Sequence, residues 1–376
     1  MKTLSDLGDV SGERVFVRVD FNVPLDGPKI TDDKRIRAAL ATLNALREQG
    51  ARLVLASHLG RPKGPDPKLS LRPVRDRLEE LLGEHVGFAP ALHEVPDDDV
   101  VLLENVRFDP GETNDDQGLA ERYRALADAY VDDAFGAAHR AHASTHAAAL
   151  LFDRRAAGLL LEREVATLTS ILADPARPFV AVVGGAKVTD KIGVLEKFLE
   201  VADEVLIGGA MAFPFLAAQG HDVGSSLNAP EDAEPARRLL DEPKLRLPVD
   251  LVLGREFSAD TERKELDGVD VPSGWMGLDI GPQSAEAYVV AVRRAATVFW
   301  NGPMGAFELE PFAAGTEKIA RAVAASSGTT VVGGGDSVAA ITKFGLQDEV
   351  THVSTGGGAS LELVEGKTLP GVEVLR

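Results

Sequence analysis

GGAKVTDK at 184–191 puts Lys187 and Lys191 four residues apart, at what the pattern predicts to be the opening turn of a helix after the apolar run PFVAVV. Residues i and i+4 share a helix face, so two ammonium groups there would repel each other and oppose the positive end of the helix dipole. A polyanion held between them removes both costs; two solvated surface lysines are the plain alternative. GGGDS at 333–337 joins the amides of Gly333, Gly334 and Gly335 to Asp336, suited to a magnesium ion, and to Ser337, suited either to a phosphate or to capping a helix. In the first half, Arg35 in DDKRIRAAL, His58 and Arg61 in SHLGRPKG, Arg107 in LLENVRF and Arg140 in AHRAH are candidates to converge on a phosphate and a carboxylate, both of which match the guanidinium fork. Singly, each arginine reads as a surface residue. Arg107 and Arg140 gain weight because they lie in or just after apolar strands, where an unpaired guanidinium is costly. His139, His142 and His146 have a spacing that suits a metal, but no cysteine or carboxylate completes the set within that segment, so a metal is not expected there.

These residues hang on a repeated element. Short apolar runs recur at RVFVRV (14–19), RLVLAS (52–57), VVLLEN (100–105) and AYVDDA (129–134), and then at PFVAVV, EVLIGG, VDLVLG, ATVFWN, TTVVGG and VTHVST. Most are followed by a turn and a helical pattern, which predicts βα units, an α/β fold and parallel sheets. One helix is legible over 33–49, where Ile36, Leu40, Leu43 and Leu46 fall at helical spacing and Gly50 stops it. Another, 161–172, stands between the two sets of strands and is read as the connector. The strand ends differ between halves. The first set carries Asp20, Asn22, His58, Arg61, Arg107 and Arg140; the second carries glycine turns at 184–185, 208–209, 302–305, 333–335 and 356–358. Ligands of open α/β sheets bind at the carboxyl ends of strands, so two pockets are predicted, one cationic and one glycine-rich. Glycine at such a turn lets backbone amides approach an anion, and phosphate is the usual guest.

Composition narrows the function classes. At 376 residues two domains are expected. The charge of −19 disfavours nonspecific binding to nucleic acid or to an anionic membrane, yet residues 29–75 alone balance at +7, which suits a small anionic ligand. No run approaches the roughly 20 apolar residues of a membrane span. With no cysteine, disulfides and thiolate chemistry are excluded, and a cytoplasmic protein is the expectation. Neither a phosphate-loop signature nor a GxGxxG fingerprint occurs: GKT at 366–368 would need glycine at 361, where Leu361 stands. That leaves a nicotinamide dehydrogenase without its fingerprint.

Taken together, RVDFNVP (18–24), SHLGRPKG, LLENVRF, DAFGAAHRAH (133–142), GGAKVTDK, GWMGLDIGP (274–282), WNGPMGAFE (300–308), GGGDS and STGGGASLELVEGKTLPGV (354–372) resemble phosphoglycerate kinases, in the family's order and over essentially the whole chain. The resemblance implies two Rossmann-like three-layer α/β/α lobes with parallel sheets and a hinged cleft: 1–157, with the tail 362–376 packing back on it, binding 3-phosphoglycerate, and 158–361 binding magnesium ATP or ADP. It implies a monomer whose partners are these small molecules.

Residue by residue, the resemblance assigns the acceptor to Asp20, Phe21, Asn22, Arg35, His58, Leu59, Gly60, Arg61, Arg107 and Arg140, with Arg35 nearest the transferring group. It assigns the nucleotide to Lys187, Lys191, Gly209, Gly277, Asn301, Glu308, Gly334, Gly335, Asp336 and Ser337, with Asp336 directing Mg2+. Gly335 and Gly358 would add amides at the transferring phosphoryl group. The chain departs from the family's pattern in a short 83–101 segment, in Asp132 for a usual asparagine, in Ala210 for a third glycine and in Pro214 for a frequent threonine. A catalytically silent phospholigand-binding protein of the same fold is the alternative reading.

Overall fold

The computed structural model describes all 376 residues. Two compact units emerge, Met1–Ala166 with Lys367–Arg376, and Thr167–Gly366. The division falls inside the helix Leu159–Ala173, slightly longer at both ends than the predicted connector.

In the first unit a six-stranded parallel sheet runs in the order Gly87–Ala89, Val100–Leu103, Arg52–Ala56, Arg14–Arg18, Ala129–Asp132, Arg155–Ala157. Its central strands are buried on both faces, which is why they read as continuous apolar runs rather than alternating ones. The helix Lys34–Glu48 buries Ile36, Ala39, Leu43 and Leu46 against it. Gly50 then adopts a left-handed φ of 82°, its amide donating to the Arg47 carbonyl at 2.8 Å while Ala51 N–H reaches Leu46 at 3.1 Å, and the helix stops where the sequence says it must. The C-terminal residues join this unit through Lys2 N–H to Leu375 O (2.7 Å), Gly371 N–H to Ala138 O (2.9 Å) and Arg155 Nε to Val374 O (2.6 Å).

The second unit has its own parallel sheet, ordered Leu245–Arg246, Glu204–Ile207, Phe179–Val183, Thr297–Asn301, Thr329–Val332, His352–Val353. One predicted run lies outside it. VDLVLG forms Leu251–Gly254 at the centre of a separate antiparallel sheet, between Arg263–Leu266 and Met276–Ile280. An apolar run of four buried residues carries no direction by itself; its partner Arg263–Leu266 is largely exposed and charged and gives no strand signal at all.

Both parallel sheets are wound outward from one strand and then resumed on its other side. The first sheet reverses between Arg14–Arg18 and Ala129–Asp132, where Arg18 pairs in register with Asp132, and the second between Phe179–Val183 and Thr297–Asn301. Such switch points open a crevice at the carboxyl ends of the two strands. The candidate residues gather there.

Candidate active site

In the first unit the crevice is lined by side chains. Arg18 is fully buried at its strand's end: Nε donates to Ser144 Oγ at 2.7 Å, one terminal nitrogen to Val19 O, and the other to His58 Nδ1 at 3.0 Å. Asp20 follows and accepts from Arg35 and from Asn22 N–H at 3.2 Å. Burial alone would raise the Asp20 pKa, but Arg35, with Arg18 and the Asn22 N–H, holds the carboxylate below its ordinary value. Asn22 Oδ1 accepts from Gly60 N–H at 2.8 Å, and Ser57 Oγ accepts from Phe21 N–H at 2.8 Å, so the turns after the first two parallel strands brace each other.

Asn105, buried, supports the same turn from the other side. Its Nδ2 donates to Leu59 O at 2.8 Å and Leu69 O at 3.0 Å, and its Oδ1 accepts from Leu59 N–H at 3.2 Å and Arg107 N–H at 3.1 Å. The Arg107 guanidinium reaches Gly60 O at 2.7 Å, while its Nε is buried without a hydrogen-bond partner. Burial, together with the charges of Arg18 and Arg140, lowers Arg107 to about 10. His58 is pushed well below its usual value by burial, with Arg18, Arg107 and Arg35 adding to the effect, and His142 is lowered to about 4 by burial and the same kind of cationic surroundings. Both imidazoles are therefore neutral at pH 7.

Arg140 and Arg61 are exposed, the former donating from Nε to His139 Nε2 at 3.0 Å. His146 belongs elsewhere, bound through Nδ1 to Asp115 at 2.7 Å, so the histidine triplet is split among different neighbours.

In the second unit the site is made of backbone. Each of the five predicted glycine turns has one residue at positive φ: Gly185, Gly209, Gly302, Gly334 and Gly357. Gly209 shows the need most plainly, since a Cβ there would lie 2.8 Å from backbone atoms of Gly185 and 2.9 Å from Pro303 O. Three of the turns, 184–185, 208–209 and 302–305, border a cavity of about 540 Å³, lined by Gly209, Phe213, Gly277, Pro303, Glu308 and Asp336 among others; Ala210 is also on its wall. Gly277 lacks a Cβ that would meet the Phe213 ring at 2.3 Å, and its N–H donates to Ser226 at 2.9 Å.

Lys191 stands at the switch point itself. Its Nζ donates to Gly184 O at 2.6 Å and Asn301 O at 3.3 Å, and burial lowers its pKa to about 8 against the pull of Asp336 and Asp190. The expected pairing of Lys187 and Lys191 on one helix face is not what forms. After Gly185 the chain makes a short 3-10 turn, Thr189–Lys191, and the helix proper begins at Ile192, so Lys187 points outward to Glu231 at 3.3 Å while Lys191 turns inward.

Ser337 does not cap its helix. The hydroxyl accepts from Gly302 N–H and ties the 302 turn to the 333–335 turn, while Asn301 Nδ2 holds Gly333 O at 2.7 Å and leaves its buried Oδ1 unpartnered. Gly335 opens the helix Gly335–Lys343 and Gly358 the helix Gly358–Val364, with Asp336 exposed in the first turn. A larger cavity, about 910 Å³, opens in the first unit beside Arg72, His93, Phe108 and Tyr123 and touches none of the predicted site residues.

Two α/β units, each with its candidate residues at a switch point, and the order of the motifs agree with one family. A family model described as phosphoglycerate kinase matches residues 4–367. The chain belongs to the phosphoglycerate kinase family. It is 52% identical to the phosphoglycerate kinase of Rubrobacter xylanophilus over 386 aligned positions, covering 100% of this chain and 98% of that one. It is 50% identical to a cytosolic phosphoglycerate kinase of Nicotiana tabacum, covering 98% and 96%. The phosphoglycerate kinase structure from Coxiella burnetii superposes with a TM-score of 0.91 at 40% identity over 99% of this chain and 98% of that one, and the enzyme from Pyrococcus horikoshii with 0.86 at 33% over 100% and 98%.

Phosphoglycerate kinases are glycolytic phosphotransferases, and this membership sets aside both the dehydrogenase reading and the catalytically silent one. Sequence reasoning missed Arg18, Asn105, Glu112 and Ser144. Arg18 was findable, because an arginine ending a buried apolar strand needs partners as much as Arg107 does.

Proposed function

We propose that the unit Met1–Ala166 binds 3-phosphoglycerate, that Thr167–Gly366 binds ATP or ADP, and that the chain moves a phosphoryl group reversibly between ATP and the acceptor's carboxylate. The supporting observation is the placement of unlike cationic groups at the two switch points. Arg107, with its buried unpartnered Nε, stands near one, and the inward-turned Lys191 at the other.

A carboxylate, with an ordinary pKa near 4, is already ionised at neutral pH and needs no general base. The obstacle is charge: an anion must approach a phosphoryl group that is itself negative. Transfer of this kind is assisted by positioning and by cations about the equatorial oxygens. Arg35 and Lys191 supply that charge from the two units, and Lys187 joins them once nucleotide phosphates compete with Glu231 for its ammonium group. His58, neutral, donates a hydrogen bond without adding a charge. The amides of Gly335, Gly358 and the 333–335 turn orient the nucleotide, Gly277 and Gly209 leave room for it, and Glu308 faces its ribose.

No three metal-ligating side chains cluster anywhere in the chain. Asp336 alone suits magnesium, which keeps several waters and is commonly held by one or two carboxylates plus substrate phosphates. Magnesium, when carried in on the nucleotide, neutralises phosphate charge. Because donor and acceptor belong to separate units, transfer requires the two to come together and exclude water. The protein works as a cytoplasmic monomer on small molecules, without nucleic acid or membrane; no helix is long and apolar enough to cross a membrane.

The test is ATP-dependent phosphorylation of 3-phosphoglycerate with magnesium, the acyl phosphate being reduced by added glyceraldehyde-3-phosphate dehydrogenase and NADH oxidation followed. Activity lost in Lys191→Ala supports the assignment; a folded wild-type chain that binds ATP and transfers nothing overturns it.

A further inference from the structure

Behind Arg18 lies a buried chain of hydrogen bonds. Glu112, fully buried, accepts from Ser144 Oγ at 2.6 Å, from Ser144 N–H at 3.1 Å and from Tyr123 OH at 3.3 Å. Ser144, also fully buried, sits in a π-helical turn, Ala143–Ala147, pinned by Tyr130 OH to Ser144 O at 2.9 Å and by Ala143 N–H to Glu112 O at 2.9 Å. Single π turns are frequent at functional sites.

The directions of these bonds are fixed by chemistry. Arginine only donates, so Ser144 Oγ must accept from Arg18 Nε and has one hydrogen left, which goes to Glu112. By the same rule His58 Nδ1 accepts from Arg18, so the neutral ring carries its hydrogen on Nε2, a nitrogen with no partner inside the protein. We propose that Glu112 is a positioning residue for the acceptor site: through Ser144 it aims Arg18, and through Arg18 it holds His58 in the Nε2–H tautomer as a donor to the bound anion. The proposal rests on the assignment of 3-phosphoglycerate to this unit.

The test uses the full-length enzyme and two variants. Ser144→Ala removes the link while leaving Glu112 its bonds to the Ser144 backbone and Tyr123; Glu112→Gln alters the far end. Nitrogen-15 NMR of the histidine rings without ligand reads the tautomer directly. Wild-type His58 is expected as Nε2–H alone, and each variant as a mixture. In steady-state assays the KM for 3-phosphoglycerate should rise about tenfold, the scale of one hydrogen bond to a charged group, with the KM for ATP unchanged. Ser144→Thr, which restores the hydroxyl, should recover both.

A His58 tautomer and acceptor KM unchanged in folded Ser144→Ala overturn the relay. So does an equal rise in both KM values with the tautomer intact, which marks a merely structural role. Should Glu112→Gln not fold, Ser144→Ala and Ser144→Thr decide the matter. Failure of the underlying assignment looks different: 3-phosphoglycerate then moves no wild-type His58 resonance, whatever the variants do.

Discussion

The two units meet the task proposed for them, holding an anion at a sheet's switch point, with different materials. The first uses long side chains: Arg18, Arg35 and Arg107 are tied by hydrogen bonds to a buried hydroxyl, a carboxylate and a carbonyl, and His58 is held by Arg18. The second uses five glycine turns, each with a residue at positive φ, and admits one half-buried, inward-turned cation, Lys191. Side chains present fixed charge and suit a small ligand whose carboxylate and phosphate must be told apart. Backbone amides and an open cavity suit a larger ligand that brings its own charge and a metal. Substitutions should therefore break the first site by removing charge, and the second either by removing its single cation, Lys191, or by adding bulk at a glycine.

The largest effects belong to the cations on either side. Arg35→Ala and Lys191→Ala are each expected to lower turnover at least about 100-fold, the scale of a lost charge-stabilising group. Near-normal kcat in the coupled assay removes that residue from the reaction. Next, Gly277→Val drives the Phe213 ring into the cavity and should raise the KM for ATP about tenfold while sparing that for 3-phosphoglycerate; a matching rise in both would blur the division.

The pH profile sharpens it further. Lys191 titrates at about 8, its charge lost as pH rises through that value, so the KM for ATP should climb between pH 7 and 9. The climb should flatten in Lys191→Arg, and the acceptor KM should not share it over that range.

The smallest effect expected is on stability. Asp132 is fully buried in the first unit, and burial raises it to about 7, with its Oδ2 unpartnered. Between its unfolded value near 4 and about 7 the folded state holds a proton the unfolded chain has lost, so stability falls as pH rises across that window. Asp132→Asn should raise the Tm at pH 8 by a few degrees and shallow that slope. Asp133, also raised to about 7 by burial, keeps the slope from vanishing. A Tm at pH 8 no higher in the variant contradicts the buried-acid reading.

What the sequence made legible follows the same contrast. Glycine turns are local, and all five predicted turns contain a glycine at positive φ. The strands that carry them were legible because burial on both faces leaves them uniformly apolar. Edge strands such as Gly87–Ala89 and Arg155–Ala157 have three residues and no pattern, and the exposed Arg263–Leu266 has the composition of a surface loop. Side-chain networks are not local: Arg18 meets its serine 126 positions away, and Glu112 looks like one more loop acid until Ser144 is seen above it. The lysine pair misled because helical spacing was assumed before the helix begins.

The two sites are expected to be separable. Calorimetric titration of Lys191→Ala and Arg107→Ala, each with MgADP and with 3-phosphoglycerate, tests this most directly. The expected result is a crossed one: Lys191→Ala loses MgADP affinity and keeps 3-phosphoglycerate, and Arg107→Ala does the reverse. A variant that weakens both ligands alike, or only the other unit's ligand, contradicts the account.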